Sequence, residues 1–431
     1  MKTSLLARMS KILFLVVICF AIYGCAEFSA LLLVNSGDIN NKELINEYIY
    51  YEPVEPTHPL QHAIILNVKI NDSKKNYRFI LDTGALTVIN KKIIKELNLK
   101  TEVTVSAWDA NGVMKKTDLI KLVTISINDV VINNIAAGVI DLSKLEQTGL
   151  KIDGLIGSNA LRFFKVTIDY EKNIVHLTNN KKIINTPLNG YKIKFEKDML
   201  SSTPEFRCQI NEELDADALI DTGFGGNVLI PYNFIKKLNY SETDKNLINA
   251  VGIIKQGIFS TQQDKNKFAL SRINSLSISP ESKPFKNSLV YFNTRNLPAL
   301  KNIVLLGKDF LANFLVTIDY INNELILNPK NMPPNQKHKS NIFATGLAIQ
   351  QNEKKEFMIT GLWENSPAYK AGLLVGDQLI KINNSSMDTL SIDYIFKQLN
   401  DEKTKQILLT VKRDNKILEY NLKKEFLLPI L

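Results

Sequence analysis

Two short stretches carry the same apolar run ending in Asp-Thr-Gly: YRFILDTGALTVIN at residues 77–90 and DADALIDTGFGGNVLI at residues 215–230. One such tripeptide is an ordinary turn, since Asp and Gly both tolerate turn backbone. Two copies in matching surroundings pose Asp82 and Asp221 as a pair. Attack of water on a peptide bond needs a base to activate the water and an acid to protonate the amide. Two carboxyls held about 3 Å apart supply both, because like charges that close cannot both ionise and so share one proton. Such a dyad titrates as a unit. A glycosidase also uses two carboxylates, but in unequal surroundings and at wider separation. Near-symmetric copies argue against that use.

The elements that must position this pair are written in an internal repeat. GSNALRFFKVTIDYEKNIVHL (157–177) aligns without a gap on GKDFLANFLVTIDYINNELIL (307–327), at an offset of 150 (307 against 157), and Val-Thr-Ile-Asp-Tyr recurs intact. The Asp-Thr-Gly copies stand 139 apart (221 against 82), so an insertion lies inside the second unit. Each unit reads strand, Asp-Thr-Gly, helix-like segment, strands, apolar-apolar-Gly, strand: a tandem duplication. A pseudo-twofold axis then brings equivalent loops together. Thr83 and Thr222 are placed to lock the loops by hydrogen bonds across the axis. Gly84 and Gly223 allow close backbone approach where a side chain would clash. Gly157 and Gly307 let a neighbouring strand cross beside each aspartate loop. HAIILNVKIND and KNYRFILD form a hairpin leading into Asp82. INKKIIKELNLK and PYNFIKKLNY have helical apolar spacing. TVSAWDANGVMKKT reads as a hairpin turning at Asn111-Gly112, and NAVGIIKQGIFSTQ offers its counterpart in the second unit.

Asp82-Thr83-Gly84-Ala85 and Asp221-Thr222-Gly223, with Leu155-Ile156-Gly157 and Leu305-Leu306-Gly307, resemble the pepsin/retropepsin family of aspartic proteases over residues 62–328. The resemblance implies a mainly β, bilobal fold of acid-protease barrels and endopeptidase activity with no metal or cofactor. It also implies a flap hairpin over the substrate, for which 108–113 is the candidate, with Trp108 and Gly112 as substrate-side residues. Trp108 serves a core equally well. Phe224 departs from the pattern, in that a small residue is commoner there, and bears on pocket size beside Asp221.

Beyond residue 341 the chain changes character. SPAYKAGLLVGDQLIKINN resembles bacterial PDZ domains, small α+β modules that bind extended peptides by adding a strand at a sheet edge. TGLAIQ (345–350) resembles the loop whose backbone N–H groups hold a peptide's terminal carboxylate, which implies Gly346, Leu347, Ala348 and Ile349 as the binding residues. Ala348 stands where glycine is frequent. Ser366 is placed to cap a short helix beginning at Pro367, a second helix is expected at SIDYIFKQLNDE, and QILLTVKR and KILEYNLK read as strands.

The amino terminus, with Lys2, Arg8 and Lys11 before ILFLVVICFAIY and then Gly24-Cys25, describes an export signal. AIYGC resembles a bacterial lipobox with Cys25 lipidated, although Tyr23 is large for it; the alternative is an uncleaved anchor. This gives a signal peptide at 1–24, an N-terminal segment at 25–60, lobes at 61–185 and 186–328, a linker at 329–341 and a PDZ domain at 342–425. It places the protein in a bacterial envelope, lipid-anchored and facing periplasm or exterior. NPKNMPPNQKHKSN lacks apolar periodicity, so the PDZ domain is expected to fold separately and move against the lobes. Cys208 is left alone, without a disulfide framework, as small packing. A formal net charge of +9 comes from scattered lysines with no basic block interleaved with aromatics, so nucleic acid is no expected partner. Histidines 58, 62, 176 and 338 show no metal-ligand spacing, and His176 reads as a polar surface site in a strand. Two functions remain: a lipid-anchored endopeptidase acting on peptides and proteins, with C-terminal tails held at the PDZ domain, and a non-catalytic peptide-binding scaffold of the same fold.

Overall fold

Burial alternates residue by residue along Ile65–Ile70, with Leu66, Val68 and Ile70 inside and Asn67 and Lys69 outside. That is the period of a strand with one face on a core, and such strands dominate the chain. The structure is a computed structural model that describes residues 25–39, 44–108, 114–181, 190–240, 246–254, 268–279, 282–293, 303–330 and 342–428. It is mainly β, with barrel-like sheets in two lobes followed by a carboxy-terminal PDZ region.

In the first lobe, the strand Tyr77–Asp82 lies antiparallel to Ile65–Ile70 and parallel to Gly154–Gly157, with Asp82 opposite Gly157. The second lobe repeats this unit. Leu214–Ile220 lies antiparallel to Pro204–Ile210 and parallel to Ile303–Leu306. A six-stranded sheet joins the lobes, and its two central strands, Lys165–Asp169 and Phe314–Asp319, run antiparallel with Thr167 opposite Thr317. The repeat relates these two threonines to each other, so the pseudo-twofold axis passes between their hydroxyls, 2.9 Å apart.

The amino-terminal residues are woven into both lobes' framework. Helix Cys25–Val34 packs Ala30 and Val34 against Leu119, Ala136, Val103 and Val105 of the first lobe. Arg162 donates to the carbonyls of Val34 and Asn35 at 2.9 Å, a cation satisfying the helix's carboxy-terminal end. Asn46–Tyr50 forms an edge strand of the six-stranded sheet by pairing with Ile174–Thr178. This strand corrects the reading of His176. The imidazole is buried, stacked 4.1 Å from the Tyr48 ring and within 2.7 Å of Asn46 Oδ1, and burial lowers its pKa. Cys208 is buried in the core, where desolvation raises its thiol to about 12.

In the PDZ region, Ser366 caps helix Pro367–Lys370 by accepting from Tyr369 N, and Ser391 caps Ile392–Asn400 by accepting from Tyr394 N. Arg413 grips Asp377 through Nε and Nη2 at 2.6 and 2.7 Å, the two-pronged geometry that favours arginine.

The PDZ region, expected to fold separately, is joined to the second lobe by strand pairing. Ile248–Gly252 of the second lobe pairs on one side with Phe268–Ser277 and on the other with Phe357–Trp363 of the PDZ region, so lobe and PDZ region share one continuous sheet. Backbone bonds extend the junction, from Ile253 N to Thr360 O (2.7 Å) and from Glu364 N to Asn249 O (2.9 Å). An open strand edge carries unpaired donors and acceptors, and here two such edges satisfy each other. Residues 331–341, which hold most of the linker, lie outside the described residues.

Candidate active site

Each aspartate closes an apolar strand whose hydrophobic side chains anchor it. Phe79 and Leu81 before Asp82, and Ala218 and Ile220 before Asp221, are fully buried. The chain then turns at Thr-Gly, and the two turns meet at the pseudo-twofold axis. The Thr83 hydroxyl donates to Ile220 O (2.7 Å) and accepts from Thr222 N (3.2 Å), while the Thr222 hydroxyl donates to Leu81 O (2.8 Å) and accepts from Thr83 N (3.0 Å). Each lobe thus satisfies the other's buried backbone, and neither turn is complete alone.

The glycines set the spacing. A β-carbon on Gly84 would fall 2.6 Å from Cγ of Asp221, and one on Gly223 would fall 2.5 Å from Oδ2 of Asp82. Gly157 is pressed by the backbone of Ala85, Leu86 and Thr87, and Gly307 by the backbone of Phe224 and Gly226, all within 2.5 Å of the missing β-carbon. The segments that follow the two turns therefore cross directly over these glycines.

The two carboxyls lie on either side of the axis, each against the other lobe's glycine. Gly84 N donates to Asp82 Oδ1 (3.0 Å), and Gly223 N and Phe224 N donate to Asp221 Oδ1 (2.9 and 3.0 Å). Burial pushes Asp82 up to about 6, against the backbone donor that favours its charge. Asp221 is pushed up by burial and then by the negative charge of Asp82. Both carboxyls are thus pushed upward, as two acids held this close and out of water must be. Among the described residues no three His, Cys, Asp or Glu side chains gather as metal ligands.

A second layer supports the first turn. The Ser158 hydroxyl donates its only proton to Thr83 O (2.7 Å), so the Tyr320 hydroxyl, 2.7 Å away, must donate to Ser158. The equivalent position in the second lobe is Lys308 in place of serine. The hydroxyl of the equivalent tyrosine, Tyr170, is buried with no hydrogen-bond partner among the described residues. Ser158 and Tyr320 escape a reading of motifs. Their only signal is the position directly after Gly157 and the end of the Val-Thr-Ile-Asp-Tyr repeat.

The dyad opens on a cavity of about 1250 Å³ lined by residues of both lobes. Val105, Ser106 and Ala107 of strand Thr101–Trp108 line it, and Trp108 pairs with Met114 at the end of the hairpin. Gly112 and the turn at 109–113 lie outside the described residues. Phe224 lines the cavity beside Asp221, its ring edge-on to Tyr291 at 6.2 Å. In the PDZ region, Gly346 has a positive φ of +83° and is buried against Ser366, whose Cβ would lie 2.1 Å from an added β-carbon. Leu347, Ala348 and Ile349 begin strand Leu347–Gln351, and Ala348 and Ile349 line the same cavity as the dyad. Cys25 is the first residue of helix Cys25–Val34, far in sequence from the dyad although Glu27, Ala30 and Leu31 of that helix reach the cavity wall.

Comparison with known protein families agrees with this architecture. Residues 66–160 match the family model described as an aspartyl protease, and residues 358–413 match that of a PDZ domain. A search of curated proteins returned no match. The chain therefore carries an aspartyl protease domain followed by a PDZ domain. The second Asp-Thr-Gly lies outside the matched stretch, and it is the repeat and the reciprocal threonine bonds that relate Asp221 to Asp82.

Proposed function

We propose that the protein is an aspartic endopeptidase in which Asp82 and Asp221 activate water against a peptide bond. The observation that carries this reading is the reciprocal placement of each Asp-Thr-Gly glycine under the other lobe's carboxyl, which brings two buried acids together at the wall of a large cavity. Asp82 as carboxylate takes a proton from the water, whose oxygen bonds to the scissile carbonyl carbon. Asp221 gives its proton to the carbonyl oxygen. In the second step the proton on Asp82 passes to the amide nitrogen, the C–N bond breaks, and the diol returns a proton to Asp221. Strand Thr101–Trp108, whose Val105, Ser106 and Ala107 line the cavity, stands beside the bound chain, and the PDZ region holds peptide segments through strand Leu347–Gln351.

The amino-terminal pattern supports a lipid anchor on Cys25 and a place in a bacterial envelope, on the periplasmic or outer side. Among the described residues no helix is long and apolar enough to cross a membrane. Cys25→Ser is expected to release the protein from membranes or block its processing. Unchanged fractionation and mass would remove the anchor from the account.

The test of activity is digestion of an unfolded protein at mildly acid pH, with and without a peptide mimic bearing a hydroxyl where the tetrahedral intermediate would form. Cleavage that the mimic blocks is expected. Tight binding of the mimic with no cleavage of any substrate would instead describe a peptide receptor.

A further inference from the structure

The PDZ region touches both lobes. On the second lobe it continues the sheet through Phe357–Trp363, where Gly361 faces Ile253 O so closely that a β-carbon would lie 2.5 Å away. On the first lobe, Gln350 Nε2 donates to Gln147 Oε1 (2.8 Å), and on the segment leading into that lobe Asn400 Nδ2 donates to Thr57 O (2.7 Å). The Phe396 ring stands edge-on to His58 at 5.7 Å, and Ile392 lies 3.3 Å from where Gly149 would carry a β-carbon. The PDZ region thus spans the two lobes and does not hang from one of them.

Its peptide-binding elements face inward. Ala348, Ile349 and Gln350 of strand Leu347–Gln351 and Phe396 and Asn400 of helix Ile392–Asn400 line the same cavity as Asp82 and Asp221. Among the described residues that strand has one sheet neighbour, Phe357–Trp363, which leaves its other edge to accept an extended chain. At about 1250 Å³ the cavity exceeds the roughly 300–1,000 Å³ typical of small-molecule sites and suits a polypeptide of several residues.

We propose that the PDZ region is a wall of the substrate cleft, and that strand Leu347–Gln351 and helix Ile392–Asn400 bind the same extended polypeptide that crosses the two aspartates. This rests on the endopeptidase reading and goes beyond it. The occupant is the substrate chain itself on one side of the scissile bond, held at a constant number of residues from the bond that is cut. The argument for that occupant is continuity, since strand edge and dyad share one cavity.

Ala348 is small and half-buried on this wall, so a charge placed there meets one substrate position. Ala348→Glu and Ala348→Lys are compared with wild type on a library of short free peptides with Lys or Glu at each position in turn. The same peptides are then titrated by fluorescence anisotropy against each variant combined with Asp82→Asn. Expected are opposite preferences, about fivefold each way, at one and the same peptide position in cleavage and in binding. Two variants of opposite preference at one position cannot arise from a general folding defect. If wild type cleaves the library and both variants keep its charge profile, the PDZ region stands outside the substrate path and the proposal falls while the protease reading stands. If nothing is cleaved but binding shifts as described, the PDZ wall stands and the protease reading falls. No shift in either measurement overturns the wall.

Discussion

Gly84 lies directly under the carboxyl of Asp221: a β-carbon on the glycine would be 2.6 Å from that aspartate's Cγ. The reciprocal pair, Gly223 and Asp82, is as close at 2.5 Å. Neither acid can hold its position over a side chain. Gly84→Ala is therefore expected to lower kcat/KM by about 100-fold or more, the scale of a displacement of about 1 Å at a reacting group. Steady-state kinetics beside a thermal melt checks it, and wild-type kcat/KM in a folded Gly84→Ala protein would contradict the geometry.

Thr222→Val removes a hydroxyl that accepts from Thr83 N and donates to Leu81 O. Valine matches the shape but leaves a buried N–H and C=O without partners, at about 1–3 kcal/mol for each group. Thr222→Ser keeps both bonds and is expected to stay near wild type. Urea unfolding distinguishes the two, and equal midpoints for Val and Ser would show that the cross-axis bonds contribute little.

The pH dependence follows from the raised carboxyls. Asp82 moves from an ordinary 3.8 to about 6, and Asp221 moves upward too. The folded protein then binds protons more tightly than the unfolded chain between these values, so this pair's contribution to stability falls as pH rises from about 4 to 6. Asp82→Asn is expected to flatten that part of the slope and raise the neutral-pH melting temperature by a few degrees. Melts across pH 4–7 read the effect, and parallel curves for wild type and variant would contradict it.

The two tyrosines related by the repeat should behave differently. Ser158→Ala leaves Thr83 O and the Tyr320 hydroxyl without their partner, and kcat is expected to drop about tenfold with KM little changed. Tyr170→Phe removes a buried hydroxyl that has no partner among the described residues, so it is expected to be neutral or slightly stabilising. Loss of activity in Tyr170→Phe together with full activity in Ser158→Ala would reverse this assignment.

Local grammar makes much of this protein legible in its residues alone. Strands Gln406–Arg413 and Lys416–Lys423 fall where apolar alternation places them, and Ser366-Pro367 opens a helix as capping chemistry requires. The gapless 150-residue repeat leads to Thr167 facing Thr317, because a duplication folded on itself must have an axis. What stays hidden are meetings between edges. Nothing in INAVG or FMITGLW says that these strands pair, since an edge strand's pattern records which face is buried and not which neighbour it takes. His176 looks like a surface residue for the same reason, its cover coming from a strand about 130 residues away. Ser158 gives no local sign, because its role depends on a tyrosine from the other lobe.

The most direct measurement of the central claim is hydrolysis of a peptide library by wild type, Asp82→Asn and Asp221→Asn, followed by mass spectrometry. Asparagine preserves shape but cannot share or transfer the proton of the dyad. The account predicts defined cleavage by wild type and none by either variant, with both variants folded and still binding the peptides. Cleavage at the same bonds by either variant, at a rate near that of wild type, would contradict it.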